Sequence, residues 1–159
     1  MKLDLRSLSA EELFFKIDGD KLIPNEKINL IPPQFSCEVR RFKANEKLRK
    51  YTLSVKIESN DEEPKALSLS VKLAGIFETE IADEKQEREF AAEATKVVYP
   101  NLRAAVTSLT ASAYVMPINL PIVAPVFDDS KWVERKSEGT PSDPTKPVYA
   151  FTVDDKKLN

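Results

Sequence analysis

Residues 97–127 read VVYPNLRAAVTSLTASAYVMPINLPIVAPVF, and two different patterns follow each other directly in this stretch. Up to Ala113 apolar side chains recur at helical spacing, whereas an apolar segment with three prolines begins at Met116. Prolines at this density prevent a helix and hinder pairing in a sheet. The segment therefore has to pack on another apolar surface or line a groove. This pattern favours a protein that binds other polypeptides.

A helix is predicted from about Asp83, because the acidic residues at its start suit the helix dipole. Pro100 lacks a backbone N–H, which predicts that this helix ends or kinks there and that a second helix begins. The second helix carries one apolar stripe, formed by Leu102, Ala105, Val106, Leu109 and Ala113. In one interpretation, the small side chains beside the stripe let a helix from a second copy of the chain approach closely. In the other, the stripe packs only on the sheet of its own chain. The pattern alone leaves both interpretations open.

Alternation of apolar and polar residues predicts three strands, at residues 35–39, 51–57 and 67–73. A period of two means that each strand buries one face, as in an antiparallel sheet. Leu13, Phe15 and Ile17 predict a further strand near the start of the chain. Ser9 and Glu12 have the spacing of a capping box, which predicts a short helical turn before that strand.

The end of the chain differs in composition from the rest. Residues 128–136 predict about two helical turns anchored by Trp132. Residues 137–147 contain three prolines and one glycine, which predicts a linker. Val148, Ala150 and Phe151 predict a final short strand or docking segment. We therefore divide the chain into a domain, residues 1–136, and a tail, residues 137–159.

Charge and hydropathy exclude several classes of partner. The 159 residues include 24 basic and 26 acidic side chains, a net charge of −2, which gives no electrostatic reason to expect nucleic acid or an anionic membrane as a partner. No apolar run approaches the roughly 18 residues that a membrane helix needs. No signal peptide is evident in the first residues. These observations predict a cytoplasmic location.

The residue types also argue against catalysis. The chain has no histidine and one cysteine, so the usual zinc ligands and the usual nucleophile–base pairs are missing. Its three glycines lie too far apart to form a phosphate-binding loop. Cys37 occupies an alternating position in a predicted strand and is interpreted as a buried structural thiol. We expect no catalytic residue, no metal site and no cofactor.

Several blocks together resemble the SecB family of protein-export chaperones. The blocks are LAGIF at residues 73–77, YPNLR at 99–103, PINLP at 117–121 and PV at 125–126. In the first block, Gly75 marks a bulge or a close approach of the backbone. The resemblance extends from about residue 13 to residue 127, and only residues 74–77 and 99–127 are specific.

The resemblance implies an α+β protomer with a four-stranded antiparallel sheet, helices packed on one face, and assembly into a dimer of dimers. It implies an ATP-independent chaperone that binds unfolded or precursor polypeptides in apolar grooves between the loop that follows the helix and the sheet. The residues expected to line the groove are Tyr114, Met116, Ile118, Leu120, Ile122, Val126, Phe127 and Trp132. The apolar stripe of the second helix would then form the oligomer interface. The alternative for the loop residues is that they pack on their own sheet.

Two departures from the family pattern bear on partners. The helix predicted after the loop is short. The sequence also has no recognisable basic tail of the kind that engages the SecA motor. The resemblance therefore leaves open whether SecA is a partner. Two other functions remain as alternatives. One is a dedicated chaperone of a single client, such as an antitoxin, and the other is a structural or regulatory oligomer that has lost client binding.

Overall fold

The computed structural model describes residues 1–113 and 115–127, together with the backbone of residues 145–153. The described elements, in chain order, are β1 (Asp4–Ile17), a single 3-10 turn (Gly19–Lys21), β2 (Gln34–Phe42), β3 (Leu48–Glu58), β4 (Leu67–Glu78), α1 (Glu84–Ser112) and β5 (Thr145–Val153). The strands form one antiparallel sheet in the order β1-β4-β3-β2-β5. Strands β2 to β4 form a meander, and β1 pairs with β4 in a Greek-key arrangement.

The predicted four-stranded antiparallel sheet with helical packing on one face is confirmed by β1 to β4 and α1. The predicted final strand is also present, because β5 pairs with β2 and adds a fifth strand to the sheet. Residues 128–144, which include the predicted short helix with Trp132, lie outside the described part of the chain. The division of the chain at residue 136 stays a prediction.

The core lies between α1 and the sheet face that alternate residues of the strands share. Across β2, β3 and β4 these residues stand in register, for example Cys37 opposite Leu53 and Leu53 opposite Leu73. The helix supplies buried side chains at intervals of four, which places them on one face. They are Phe90, Ala94, Val98, Leu102 and Val106. Burial of this single apolar layer is the main force that holds the helix on the sheet.

The predicted break at Pro100 is wrong, because α1 runs without interruption from Glu84 to Ser112. Val98 and Leu102 are fully buried on either side of the proline, so both halves of the helix are packed on the sheet. Pro100 and Lys96 are exposed, and water can therefore satisfy the Lys96 carbonyl that loses its usual partner. The packing of the flanking residues outweighs the single missing hydrogen bond.

The helical turn predicted from Ser9 and Glu12 is also wrong, because both residues lie inside the 14-residue strand β1. Two register shifts interrupt this strand, between Leu5 and Ser7 and between Ala10 and Glu12. Each shift adds one residue to β1 and reverses the side on which the following side chains point.

As a result, three leucines of β1 occupy the same face although odd intervals separate them. Leu5, Leu8 and Leu13 pair with Phe77, Gly75 and Val71 of β4, on the face that carries the helix. The helix contacts mainly β3 and β4, so the three leucines stay 39%, 37% and 56% exposed. We call Leu5, Leu8 and Leu13 the β1 leucine row.

An ion pair fixes the start of α1 on the sheet. Arg49 of β3 and Glu87 in the first turn of α1 are both buried, and an Arg49 Nη2 to Glu87 Oε1 distance of 2.9 Å joins them. Arg41 of β2 also contacts Glu87, with Nε 3.3 Å from Oε1. The helix-start position predicted from the acidic residues is thus confirmed, and one of these acids has a tertiary partner.

Candidate polypeptide-binding site

The segment 116–127, which we call the apolar loop, runs back along α1 in the opposite direction. Its first fixed point is Ile118, whose N–H donates to the Thr110 hydroxyl at 2.9 Å. The Ile118 carbonyl accepts from the Thr107 hydroxyl at 3.1 Å. One loop residue is therefore held by both of its backbone groups.

Two further side chains of α1 hold the next part of the loop. Arg103 Nε donates to the Leu120 carbonyl at 3.1 Å, and Tyr99 Oη donates to the Pro121 carbonyl at 2.5 Å. Prolines have no backbone N–H, so a loop with several prolines contains more carbonyl acceptors than backbone donors. Its carbonyl groups therefore need donors from elsewhere in the protein. Polar residues of the helix at 99, 103, 107 and 110 meet that need because their spacing of three and four keeps them on one face.

Three of the predicted groove residues anchor the loop. Leu120 is only 3% exposed and belongs to the core, so its prediction as a client-binding residue is corrected. Ile118 and Phe127 are partly buried and pack against the same core. The side chains of these three residues turn inward, as the alternative interpretation of the loop allowed.

The other described loop residues of the prediction point to solvent. Met116, Ile122 and Val126 are 87%, 82% and 79% exposed. Val123, which the prediction omitted, is 72% exposed and belongs with them. The backbone bends at Ile122 and Val123, so the side chains of these two consecutive residues both face solvent. In a regular extended strand they would point to opposite sides. Sequence alternation alone could not reveal this bend.

A groove of about 330 Å³ lies between α1 and the end of the apolar loop. Ala91, Ala92 and Thr95 form its helix side, where short side chains leave the space open. Arg88 and Lys96 also line it, so a mainly apolar surface has two cations on the helix side. The prediction placed a groove between the loop and the sheet, whereas this groove has the helix as its second wall.

The predicted interface stripe of the helix divides into two groups. Leu102 and Val106 are fully buried in the protomer core and cannot contact another subunit, so their prediction as interface residues is corrected. Ala105 and Leu109 are partly buried against that core, and Ala113 is half-buried at the end of the helix. Most of the stripe therefore packs within its own chain, in agreement with the interpretation that the helix packs on its own sheet.

Two other predicted client-binding residues, Tyr114 and Trp132, lie outside the described residues. The described residues contain no group of three or more potential metal ligands, and no described helix combines the length and hydropathy needed to cross a bilayer. Cys37 is buried beside Tyr51, and burial raises the pKa of its thiol well above the usual range. A protonated, inaccessible thiol of this kind is structural.

The family model described as preprotein translocase subunit SecB matches residues 25–127, which is well over half of the chain. The chain belongs to the SecB family. The match begins after β1 and ends with the last residue of the apolar loop, so it covers most of the sheet, the helix and the candidate site of this SecB protein. The SecB family is one of chaperones, not of enzymes.

A solved structure supports the same fold. It is the Mycobacterium tuberculosis Rv1957 SecB-like chaperone in complex with a ChAD peptide from the Rv1956 HigA1 antitoxin. The two share 17% sequence identity with a TM-score of 0.62, and the alignment covers 76% of this chain and 90% of that one. No curated protein sequence matches the chain significantly.

Proposed function

We propose that this SecB-family protein is an ATP-independent chaperone that binds unfolded or export-competent polypeptides at the apolar loop. The observation that carries the proposal is the exposure of Met116, Ile122, Val123 and Val126, each more than 70% exposed. Hydrogen bonds from α1 hold the backbone between Ile118 and Pro121 in place. The loop therefore offers apolar surface without a large ordering cost on binding.

The mechanism needs no chemical step. An unfolded chain exposes apolar side chains, and their contact with the apolar loop and the adjoining groove is favourable without being directional. Such contacts are weak for each site and tolerate many sequences. Several sites on one oligomer would increase the apparent affinity because one long client can contact more than one of them.

Self-association belongs to the proposal, and β1 supports it. The β1 leucine row is exposed on the face that carries α1, and β1 lies at one end of the strand order. A 14-residue edge strand that exposes a row of leucines is a surface that soluble proteins usually cover. A second copy pairing through β1 would cover it, and two such dimers would give the tetramer that the family resemblance implies.

Substitution of the leucine row tests this assembly. Leu8→Glu together with Leu13→Glu should lower the native mass measured by light scattering on a sizing column. Lys16→Glu is the matched control, because it places a new acid on the same strand at a residue that is already polar and exposed. An unchanged mass in the leucine variant would contradict assembly through β1.

Client binding is tested by suppression of the aggregation of an unfolded protein. Ile122→Asp with Val126→Asp should abolish protection while the urea unfolding midpoint stays within error of the wild type, because both side chains are at the surface. Ile23→Asp is the control, since Ile23 is 59% exposed in a different loop. Full protection by the loop variant, or an equal loss in the control, would refute the assignment of the site.

A dedicated chaperone of one client is the second candidate. One structural relative of this chain, the SecB-like chaperone described above, is bound to a peptide from an antitoxin, and that observation favours a restricted client range. A general chaperone should protect several unrelated unfolded proteins, whereas a dedicated one should protect a single protein and ignore the others. Engagement of SecA and a cytoplasmic location stay predictions from the sequence.

A purely structural oligomer is the third candidate. In that case a neighbouring subunit would have to bury the four exposed side chains of the apolar loop. An apolar dye that becomes fluorescent on binding distinguishes the two states. Binding of the dye to the native oligomer, and its loss in the Ile122→Asp, Val126→Asp variant, would exclude the structural role.

A further inference from the structure

The outer edge of β2 carries a strand from the far end of the same chain. β5 pairs antiparallel with β2 from Phe42 opposite Thr145 to Phe35 opposite Val153. Phe35, Cys37 and Val39 of β2 are core residues, so this edge borders the most buried part of the sheet. Without β5, the N–H and C=O groups on that side of β2 would lack strand partners.

The pairing of β5 has features of an interchangeable strand. Its ladder is interrupted by a register shift between Val39 and Arg40 of β2, next to Pro147. A proline donates no hydrogen bond to a ladder and is tolerated only at sheet edges or irregularities. β5 is the terminal strand of the sheet and pairs with β2 on one side.

We propose that the β2 edge is a second binding surface for extended segments of client polypeptide, and that β5 occupies it in the absence of client. The inference rests on the proposed chaperone function and adds a site to it. Strand addition to a sheet edge uses backbone hydrogen bonds, so it accepts many sequences, as a chaperone requires. An unfolded client has the free backbone groups that this edge binds.

The tether sets the strength of the competition. β5 is connected to the apolar loop by residues 128–144, so it competes with clients at an effective concentration of about the millimolar range. A client that contacts the apolar loop gains a comparable local concentration at the sheet. It can then displace β5, whereas a short peptide without apolar anchors cannot.

A substitution confined to the backbone of β5 tests the competition in the full chain. Consecutive N–H groups of a strand point to opposite sides, so Tyr149→Pro with Ala150→Pro removes one donor from the β2 side whichever residue faces it. The matched control is Asp154→Pro with Asp155→Pro, which follows the last residue of β5. The client probe is a reduced and carboxymethylated protein that cannot refold.

We expect the β5 variant to bind this probe about tenfold more tightly than the wild type. This gain corresponds to a wild-type site that β5 occupies about nine-tenths of the time, which leaves about one-tenth of the sites free for the client. The control should bind like the wild type. The free peptide TKPVYAFTV, which has the sequence of β5, should cancel the gain when added to the β5 variant. Equal affinity of wild type and β5 variant overturns the inference and leaves the loop site intact.

Hydrogen exchange on the wild type gives a test that does not depend on a variant. Addition of the probe should raise amide exchange in residues 145–153, while the amides of β2 remain protected by the client strand. Continued protection of 145–153 in the complex would contradict displacement. Failure of the wild type to bind the probe at all would instead refute the proposed chaperone function, so the two failures are distinguishable.

Discussion

Tyr99 of α1 donates its hydroxyl hydrogen to the carbonyl of Pro121 in the apolar loop, 22 residues further along the chain. This bond closes a line of helix-to-loop contacts that begins at Thr110. It connects a residue of the core to a segment whose side chains are largely exposed. The loop is therefore a fixed surface of the protein and has a geometry that the helix determines.

Tyr99→Phe removes this hydrogen bond and keeps the aromatic ring that packs against Phe35. We expect the free energy of unfolding to fall by about 1 kcal/mol and amide exchange in residues 118–124 to rise. Tyr51→Phe is the control, because the Tyr51 hydroxyl bonds Thr95 within the core and does not touch the loop. Faster loop exchange in both variants, or in neither, would show that the Tyr99 bond does not hold the loop.

Glu87→Gln removes the charge that compensates buried Arg49. The expected loss is about 3 kcal/mol in the free energy of unfolding, measured by urea denaturation, because an unpaired buried cation is costly. Glu84→Gln is the matched control in the same helical turn. Glu84 is exposed and pairs with Arg88, so its loss should change stability by less than about 0.5 kcal/mol. Similar losses in both variants would contradict the anchoring role of Glu87.

Gly75→Ala should destabilise the fold by about 1–3 kcal/mol through overpacking. A Cβ at this position would lie 2.8 Å from Cε2 of Phe77, whose ring is buried in the core. Gly19→Ala provides the comparison, since nothing lies within 4 Å of a Cβ there. Thermal unfolding of the two variants decides the matter, and a Gly75→Ala protein as stable as the wild type would mean that the Phe77 ring moves aside easily.

Asp61→Asn tests a pH-dependent contribution. The hydroxyl of Ser59, followed by the ammonium of Lys21, holds the pKa of the Asp61 carboxyl well below its usual range. The folded protein therefore binds this proton more weakly than the unfolded chain does, and the stabilisation is fully present above the unfolded pKa of about 4. It is lost as the pH falls through the lower folded pKa.

The stability difference between wild type and Asp61→Asn should consequently be constant from pH 5 to 7 and shrink below about pH 4. Urea midpoints measured across this range provide the test. Asp20→Asn serves as the control, because Asp20 lies in the same part of the fold and is exposed. A difference that grows on acidification would reverse the assigned sign and contradict the role of Ser59 and Lys21.

The sequence was sufficient for the strands and for the position of the helix start, because both depend on local periodicity and local charge. It failed at Pro100, where tertiary packing of Val98 and Leu102 outweighs the local cost of proline. It also failed in the first part of β1, where Ser9 and Glu12 had predicted a helical turn, because each bulge shifts the period by one residue and disguises the strand as an irregular segment. A bulge depends on the pairing of β1 with β4, and local sequence patterns carry no information on that pairing.

The candidate site was predicted as a segment but not residue by residue. The loop was identified from its prolines and apolar residues, yet Leu120 is buried and Val123 is exposed. Which side chain turns inward depends on where α1 ties the backbone. A signal for these ties was present in the sequence, in the polar groups at 99, 103, 107 and 110, whose spacing of four and three places them on one face of the helix.

The two bulges of β1 have a consequence for how relatives of this chain can be aligned. A related strand that is regular would present the same leucine face with one residue fewer at each bulge. An alignment without gaps in β1 would then pair inward-facing residues with outward-facing ones and hide a true similarity. The family match begins at residue 25, after β1 has ended, and single-residue gaps near positions 6 and 11 are where the missing part of that correspondence should be sought.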